Sequence, residues 1–171
     1  MRPKRNSRTF RVAWLGLCFV LADTAAAQEA WRTHRNERFG LAFEYPAGIF
    51  RFERAAKGGD GEMFVAPSFD ARLVVGAVNN SEGHTTASYQ TFTERKTYRN
   101  DRITYRQRGQ GWFVLSGFKG EKIFYEKVIF SCGGRLINGF ALSYPARHNR
   151  AISPVIERIE DTFRPGARSC R

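Results

Sequence analysis

A cluster of basic residues between positions 95 and 108 has the most distinctive chemistry in this sequence. It contains Arg95, Lys96, Arg99, Arg102, Arg106 and Arg108, with Asp101 as its single acid. Side chains of an extended strand alternate between two faces, and this alternation predicts one row of Arg102, Thr104, Arg106 and Arg108. Guanidinium groups bind phosphates and carboxylates through paired hydrogen bonds. Arg99, Arg102, Arg106 and Arg108 are therefore our candidate anion-binding residues. The alternative is a solvated strand edge, whose charges prevent neighbouring molecules from adding a strand.

Cys132 and Cys170 are the two cysteines that remain if an N-terminal leader containing Cys18 is removed. In an oxidising compartment, two cysteines most simply form one disulfide. That bond would attach the C-terminal tail to the end of a predicted strand and add up to about 4 kcal/mol of stability. A redox-active pair is the alternative, but the sequence has no Cys-x-x-Cys spacing to support it.

Catalytic and metal-binding motifs are absent from the sequence. Ser116 lies in Leu-Ser-Gly rather than in a Gly-x-Ser-x-Gly elbow, so it is interpreted as a strand residue. The three histidines, His34, His84 and His148, show no metal-ligand spacing. The glycine-rich segment 58–62 is interpreted as a turn rather than a calcium loop. We expect no catalytic residue, no metal and no cofactor.

The first 27 residues resemble a cleaved signal peptide. Five basic residues precede the apolar stretch 12–22, and three alanines at 25–27 precede Gln28. An uncleaved anchor is the alternative. Removing the leader takes away five basic residues and one acid from the net charge of +12, which leaves +8. We expect a periplasmic or secreted protein, without a transmembrane segment in the mature chain.

Export also restricts which anionic molecules the positively charged protein can meet and bind. An exported protein meets anionic lipids, anionic glycans and acidic proteins rather than nucleic acid. An unknown envelope protein, or an anionic glycan or lipid, is therefore the expected partner. A role in solubility alone is the other explanation of the charge.

Periodicity and turn residues predict the elements of the mature chain. Alternating or apolar segments predict strands over 38–45, near 49–52, and over 62–66, 71–78, 103–107, 112–118, 122–131 and 136–145. A helix is predicted from Thr85 or Thr86 to about Tyr98, with Tyr89, Phe92 and Lys96 on one side. A second helix is predicted to begin with Ser153 as its cap and Pro154 in its first turn.

These elements predict a single α+β domain, because 144 mature residues suit one hydrophobic core. Short turns between the later strands require antiparallel pairing. We predict a mostly antiparallel sheet of about six to seven strands covered by two helices. The predicted boundaries are a leader over 1–27, a flexible segment over 28–37, the domain over 38–166 and a C-terminal tail over 167–171.

The predicted first strand, Arg-Phe-Gly-Leu-Ala-Phe-Glu-Tyr-Pro at 38–46, resembles the opening strand of domains with the PsbP/Mog1-like fold. Together with segments 59–61, 112–117 and 163–166, it also resembles small exported alphaproteobacterial proteins of unassigned function. PsbP-like proteins assist photosystem assembly and Mog1 binds a small GTPase, but the residues for those roles have no match here. The resemblance implies a fold used for interaction rather than chemistry.

The sequence therefore favours an exported, non-catalytic interaction or accessory protein of the bacterial envelope. Two alternatives stay open: a small periplasmic hydrolase-type enzyme, and a binder of anionic envelope polymers or lipids. A deep pocket in which several polar side chains meet would favour the enzyme, whereas a continuous arginine row on a shallow surface would favour the interaction protein.

Overall fold

The computed structural model describes residues 30–168 and residue 170. The predicted leader and its cleavage site lie outside these residues. The elements of the described chain are β1 (Trp31–Arg35), β2 (Ala42–Pro46), β3 (Arg51–Ala55), β4 (Gly61–Ala66), β5 (Ala71–Asn79), α1 (Thr86–Lys96), β6 (Arg102–Gly109), β7 (Trp112–Lys119), β8 (Lys122–Ser131), β9 (Leu136–Pro145) and α2 (Asn149–Thr162).

Seven of the strands form one antiparallel sheet in the order β3-β4-β5-β9-β8-β7-β6, and β1 pairs with β2 in a separate two-stranded sheet. Strands β6 to β9 each pair with the next along the chain, as their short turns predicted. Strand β5 completes the sheet by pairing with β9. The predicted α+β class, with its mostly antiparallel sheet and two helices, is confirmed.

The two helices pack on opposite faces of the large sheet. Helix α2 and the β1–β2 pair cover one face, where the apolar side chains of β4, β5 and β9 form the larger core. Helix α1 and the segment after it cover part of the other face, where Tyr98 packs with Phe113, Leu115 and Phe124. In the described part of the chain, neither helix is long and apolar enough to cross a membrane.

The segment predicted to be flexible, 28–37, contains a strand instead. Strand β1 aligns Arg32 with Tyr45 and His34 with Phe43 of β2. The Trp31 ring also lies 4.2 Å from the guanidinium carbon of Arg158. Polar side chains conceal this strand in the sequence, because backbone pairing rather than apolar periodicity holds it in place.

The predicted first strand is shorter than expected, since β2 begins at Ala42 rather than at residue 38. Residues 36–41 form a turn in which Gly40 has a φ of +78° and donates its N–H to the Asn36 carbonyl over 2.9 Å. The Asn36 side chain accepts the Phe39 N–H at the same distance. Phe39 and Leu41 lie in this turn and both are buried. Their spacing of two residues therefore resembles the alternation of a strand.

Helix α2 begins at Asn149, one turn before the predicted start at Ser153 and Pro154. The Ser153 hydroxyl does not cap the helix, because it donates to the Asn149 side chain over 3.1 Å. Pro154 lies inside the helix and removes one backbone hydrogen bond, to the carbonyl of Arg150 in the exposed first turn. The apolar residues Ile152, Val155, Ile156 and Ile159 face the core, as their spacing predicted.

A buried asparagine joins the sheet to the C-terminal segment. Asn138 on β9 is fully buried, and its amide donates to the Ile129 carbonyl and to the Ser131 hydroxyl. Its Oδ1 accepts the Gly166 N–H over 2.8 Å. A Cβ atom at Gly166 would lie 2.5 Å from the Phe39 carbonyl oxygen, so only glycine fits at this contact.

The predicted disulfide between Cys132 and Cys170 is present, with the two Cα atoms 4.8 Å apart. Cys132 immediately follows β8, so the bond attaches the end of this strand to the C-terminal tail. The Arg168 N–H also donates to the Phe39 carbonyl, which holds the same tail against the turn before β2.

We expect Asn138→Ala to lower the free energy of unfolding by about 2–4 kcal/mol, because it leaves the Gly166 N–H and neighbouring groups without partners. Urea unfolding of the mature protein measures this change. Asn79→Ala, at the exposed end of β5, is the matched control and should change the free energy by less than about 0.5 kcal/mol. Equal losses in the two variants would contradict the role of Asn138.

Replacing both Cys132 and Cys170 by serine should lower the free energy of unfolding by up to about 4 kcal/mol, because the bond spans 38 residues and restricts the unfolded chain. The urea midpoint of the oxidised wild type should fall toward that of the double variant when reductant is added. The double variant itself should not respond. A wild-type midpoint that ignores the reductant would count against the bond.

Candidate functional site

The predicted arginine row lies on β6, which is an edge strand of the large sheet. A β-bulge between Ile103 and Tyr105 shifts its register against β7. Arg102 consequently lies opposite Phe118, whereas Arg106 lies opposite Leu115, on the other face of the sheet. The prediction that Arg102, Arg106 and Arg108 share one face is therefore wrong, because the extra residue reverses the alternation.

The arginines of β6 have different neighbours on the two faces. On the α1 face, Arg106 donates to the Glu94 carboxylate over 3.2 Å, and Arg108 donates to the Gln90 side-chain oxygen over 3.3 Å. On the α2 face, the Arg102 guanidinium lies over the Phe118 ring, 4.4 Å from its centroid. Gln90 and Glu94 were not predicted as site residues, because α1 carries a narrow apolar stripe that does not indicate which side faces the sheet.

An open cleft of about 700 Å³, here called the α1–β6 cleft, separates the C-terminal turn of α1 from β6. Its lining residues are Glu94, Arg95, Lys96, Tyr98, Arg99, Asp101, Ile103 and Arg106. The candidates Arg99 and Arg106 thus line one cleft, to which Arg102 and Arg108 do not contribute. Anion binding by these four arginines stays a prediction.

The charges of the cleft are unevenly paired. Glu94 is bound by Arg106, and the Asp101 carboxylate lies 3.9 Å from the Lys119 ammonium. Among the described residues, Arg95, Lys96 and Arg99 have no carboxylate within 4.0 Å. The cleft therefore presents cations that the described chain leaves unpaired.

Two structural roles also suit these cations. Arg95 and Lys96 lie in the last turn of α1, where positive charge compensates the negative end of the helix dipole. The bulge and the exposed arginines of β6 also protect the free edge of the sheet from pairing with another molecule. Arg99 lies beyond α1 and before β6, so neither role accounts for it.

A second cavity, of about 320 Å³, lies between α2 and strands β7 and β8. Several polar side chains meet in it, but they pair with one another. Tyr125 donates to Glu160 over 2.6 Å, and the Tyr144 hydroxyl donates to Asn149 over 2.8 Å. Burial and then the hydrogen bond to Glu160 raise the pKa of the Tyr125 hydroxyl, so it stays protonated. These hydrogen bonds hold α2 to the sheet.

Ser116 lines the same cavity, and its hydroxyl donates to the Phe124 carbonyl over 2.8 Å. It is an ordinary residue of β7, as its sequence context indicated. Of the histidines, His34 lies 2.9 Å from the Glu62 carboxylate and His148 packs against Phe69. In the described part of the chain, no group of three or more His, Cys, Asp and Glu side chains forms a metal-binding cluster.

An acid, a histidine and a serine form a hydrogen-bonded chain at the start of α1. His84 Nε2 lies 2.9 Å from the Glu82 carboxylate, and its Nδ1 lies 3.2 Å from the Ser88 hydroxyl. Ser88 also accepts the Thr85 N–H as one half of a capping box. Glu82 is 72% exposed and Ser88 is also exposed, so water reaches both ends of these hydrogen bonds, although His84 is half-buried. The geometry of these bonds fits the ordering of a helix N-terminus.

Glu126 is a buried ionisable residue that we did not predict as functional. It lies on β8 among apolar neighbours, and its Oε2 is buried without a hydrogen-bond partner. Burial raises the pKa of its carboxyl, although the Tyr98 hydroxyl acts in the opposite direction. The only indication in the sequence was a lone acid between Phe124 and Val128, on one face of a predicted strand.

Comparison with known proteins supports the fold. The solution structure of cyanobacterial PsbP (CyanoP) from Synechocystis sp. PCC 6803 aligns with a TM-score of 0.60 and 16% identity, over 88% of this chain and 98% of CyanoP. The Saccharomyces cerevisiae Ran-binding protein Mog1p aligns with a TM-score of 0.58 and 8% identity, over 83% of this chain and 98% of Mog1p.

Sequence comparison finds no protein-family model that matches the chain and no curated protein that matches it. The structural identities, 16% and 8%, are low enough that the likeness concerns backbone architecture alone. The chain has the PsbP/Mog1-like α+β fold.

Proposed function

We propose that this chain is an exported, non-catalytic interaction protein that binds an acidic surface of a bacterial envelope protein through the α1–β6 cleft. The observation that carries the proposal is the set of unpaired cations in this cleft. Arg95, Lys96 and Arg99 line an open volume of about 700 Å³ and have no carboxylate within 4.0 Å among the described residues. Carboxylates of a partner would form ion pairs with these cations.

The remaining features of the chain support this role. The basic n-region, apolar stretch and alanines at 25–27 indicate export. In the cavity between α2 and strands β7 and β8, the polar side chains pair with one another rather than activating a nucleophile. Mog1p, which has the same fold, is a Ran-binding protein, so a protein partner is compatible with this architecture.

A hydrolase remains the rival function, and the chain of Glu82, His84 and Ser88 is the observation in its favour. Exposure of Glu82 and Ser88 to water weakens these three residues as a catalytic site, because electrostatic stabilisation of a transition state depends on excluding water. The Ser88 hydroxyl is also occupied in the capping box. The interaction function therefore accounts for more of the structure.

Replacing Arg95, Lys96 and Arg99 by glutamine should weaken capture of the partner at least about tenfold, because these cations both attract and pair with an acidic surface. The mature wild-type and variant proteins are immobilised, exposed to native envelope extract at low salt, and compared for the protein that each retains. The matched control replaces Arg51, Arg54 and Lys57 by glutamine. It removes the same charge from exposed residues at and beside the opposite edge strand, β3.

Retention of the partner by the control variant but not by the cleft variant is the expected result. Equal losses in both variants would show that net charge rather than the cleft governs binding, and equal retention would exclude the cleft. Heparin and anionic vesicles are tested in parallel with the same variants. If they are retained through the cleft while no protein is, the ligand is an anionic polymer or lipid and the proposal of a protein partner fails.

A further inference from the structure

The second face of the large sheet has an open groove beside α1, here called the sheet groove. Its volume is about 270 Å³, and it is bordered by side chains of β5, β8, β9 and α1. Sites for drug-sized molecules usually have volumes of roughly 300–1,000 Å³, and this groove is smaller, so only a ligand of a few heavy atoms suits it. It lies apart from the α1–β6 cleft, and no residue lines both.

Three rows of cross-strand neighbours form the floor of the groove. Val74 of β5 lies opposite Ala141 of β9, which in turn lies opposite Glu126 of β8. The next row consists of Gly76, Gly139 and Val128, and the third consists of Val78, Ile137 and Phe130. The two glycines remove side chains from the middle row, so the sheet surface is hollow there.

A close backbone contact requires glycine at position 76, and a side chain at position 139 would be tightly confined. A Cβ atom at Gly76 would lie 2.5 Å from the Asp60 carbonyl oxygen, and one at Gly139 would lie 3.0 Å from the Lys127 carbonyl oxygen. The apolar rim is also unusually exposed for valine, since Val74 and Val78 are 41% and 42% accessible. The shape of the groove therefore depends on these two glycines and on the exposed valines beside them.

The ionisable residues that line the groove differ from those of the whole protein. The whole chain has 28 Lys and Arg against 16 Asp and Glu, yet the groove is lined by Asp60 and Glu126 and by no Lys or Arg. Asp60 already pairs with Arg38, whereas Oε2 of Glu126 has no hydrogen-bond partner. Glu126 is thus the acid of the groove whose buried oxygen has neither a hydrogen-bond donor nor a counter-charge among the described residues.

Tyr89 of α1 lines the opposite wall of the groove, and the pKa of its hydroxyl responds to nearby acidic residues. Burial raises the pKa of its hydroxyl first, and the negative charges of Glu126 and Glu82 raise it further. A buried acceptor without a partner is costly to a fold, and a donor that carries positive charge removes this cost most effectively. Burial disfavours the charge of the Glu126 carboxyl, and a bound cation would offset that cost. The expected ligand is therefore a cation.

We propose that the sheet groove binds a small organic cation, an ammonium or guanidinium group on a short apolar body. The Glu126 carboxylate accepts hydrogen bonds from the cationic group, and Val74, Val78 and Ile137 contact the apolar body. This site is independent of the proposed partner surface in the α1–β6 cleft. Binding here involves no covalent step.

Pentylamine and pentylguanidine are suitable probes, with pentanol and pentanoate as matched neutral and anionic molecules. Each is titrated into the isotopically labelled mature protein while amide chemical shifts are followed by NMR. We expect saturable shifts confined to residues 74–78, 126–128 and 137–141 for the two cations. The neutral and anionic probes should bind at least about tenfold more weakly.

Two variants test the residues of the site. Glu126→Gln should weaken binding of pentylamine at least about tenfold, and Val74→Lys should abolish it by placing a cation of the protein at the rim. Glu157→Gln removes an exposed carboxylate from α2, on the opposite face, and should bind pentylamine like the wild type. Glu126→Gln should remain folded, since it removes a carboxyl whose burial disfavours its charge.

Several outcomes would overturn the proposal. Equal binding of pentylamine, pentanol and pentanoate would mean that the groove recognises apolar bodies only. An unchanged affinity of Glu126→Gln would remove the carboxyl from the site. No saturable shift up to millimolar pentylamine would exclude a small-cation site, and binding of a lysine-containing peptide without binding of free amines would identify a protein-docking surface instead. None of these results depends on the α1–β6 cleft.

Discussion

The buried amide of Asn138 is the contact on which the arrangement of the layers depends. It joins the ends of β8 and β9 to Gly166, and the segment around Gly166 lies against Phe39. The backbone of Arg164 also pairs with Ala42 at the start of β2. The C-terminal segment therefore holds the β1–β2 pair over the larger core. A buried polar network of this kind stabilises one arrangement because every member must be satisfied at once.

Closure of one face leaves the other face available for binding. Helix α2 and the β1–β2 pair cover the first face, whereas α1 covers only part of the second. The α1–β6 cleft and the sheet groove consequently lie on either side of α1. Cations without a carboxylate partner among the described residues line the cleft, while Asp60 and Glu126, and no Lys or Arg, line the groove. The two proposed sites therefore share no lining residue, although both lie on the same face of the sheet.

The start of α1 illustrates how local structure can imitate catalysis. Glu82, His84 and Ser88 lie within seven residues, and their hydrogen bonds run in the order acid, histidine, hydroxyl. The sequence predicted a cap at Thr85 or Thr86, and the capping box formed by Thr85 and Ser88 agrees with it. Because the same hydroxyl completes the cap, the cluster is explained by helix initiation.

The sequence alone was enough to determine the elements whose causes are local. Period-two alternation, short glycine turns and the spacing of Ile152, Val155, Ile156 and Ile159 predicted the antiparallel sheet and the apolar side of α2. The placement of Cys132 and Cys170 in the expected exported chain predicted their bond. These features follow from residues near one another along the chain, or from the expected compartment.

Only the tertiary structure decided which predicted residues meet. The bulge in β6 depends on pairing with β7, so no pattern within β6 could show that Arg102 and Arg106 lie on opposite faces. Strand β1 depends on β2 in the same way. The sequence does not show that Glu126 lies in one row with Ala141 and Val74, because this row is formed by three paired strands. It also does not show that the Oε2 atom of Glu126 is buried without a hydrogen-bond partner. Long-range register brings such residues together, and register is a property of several strands at once.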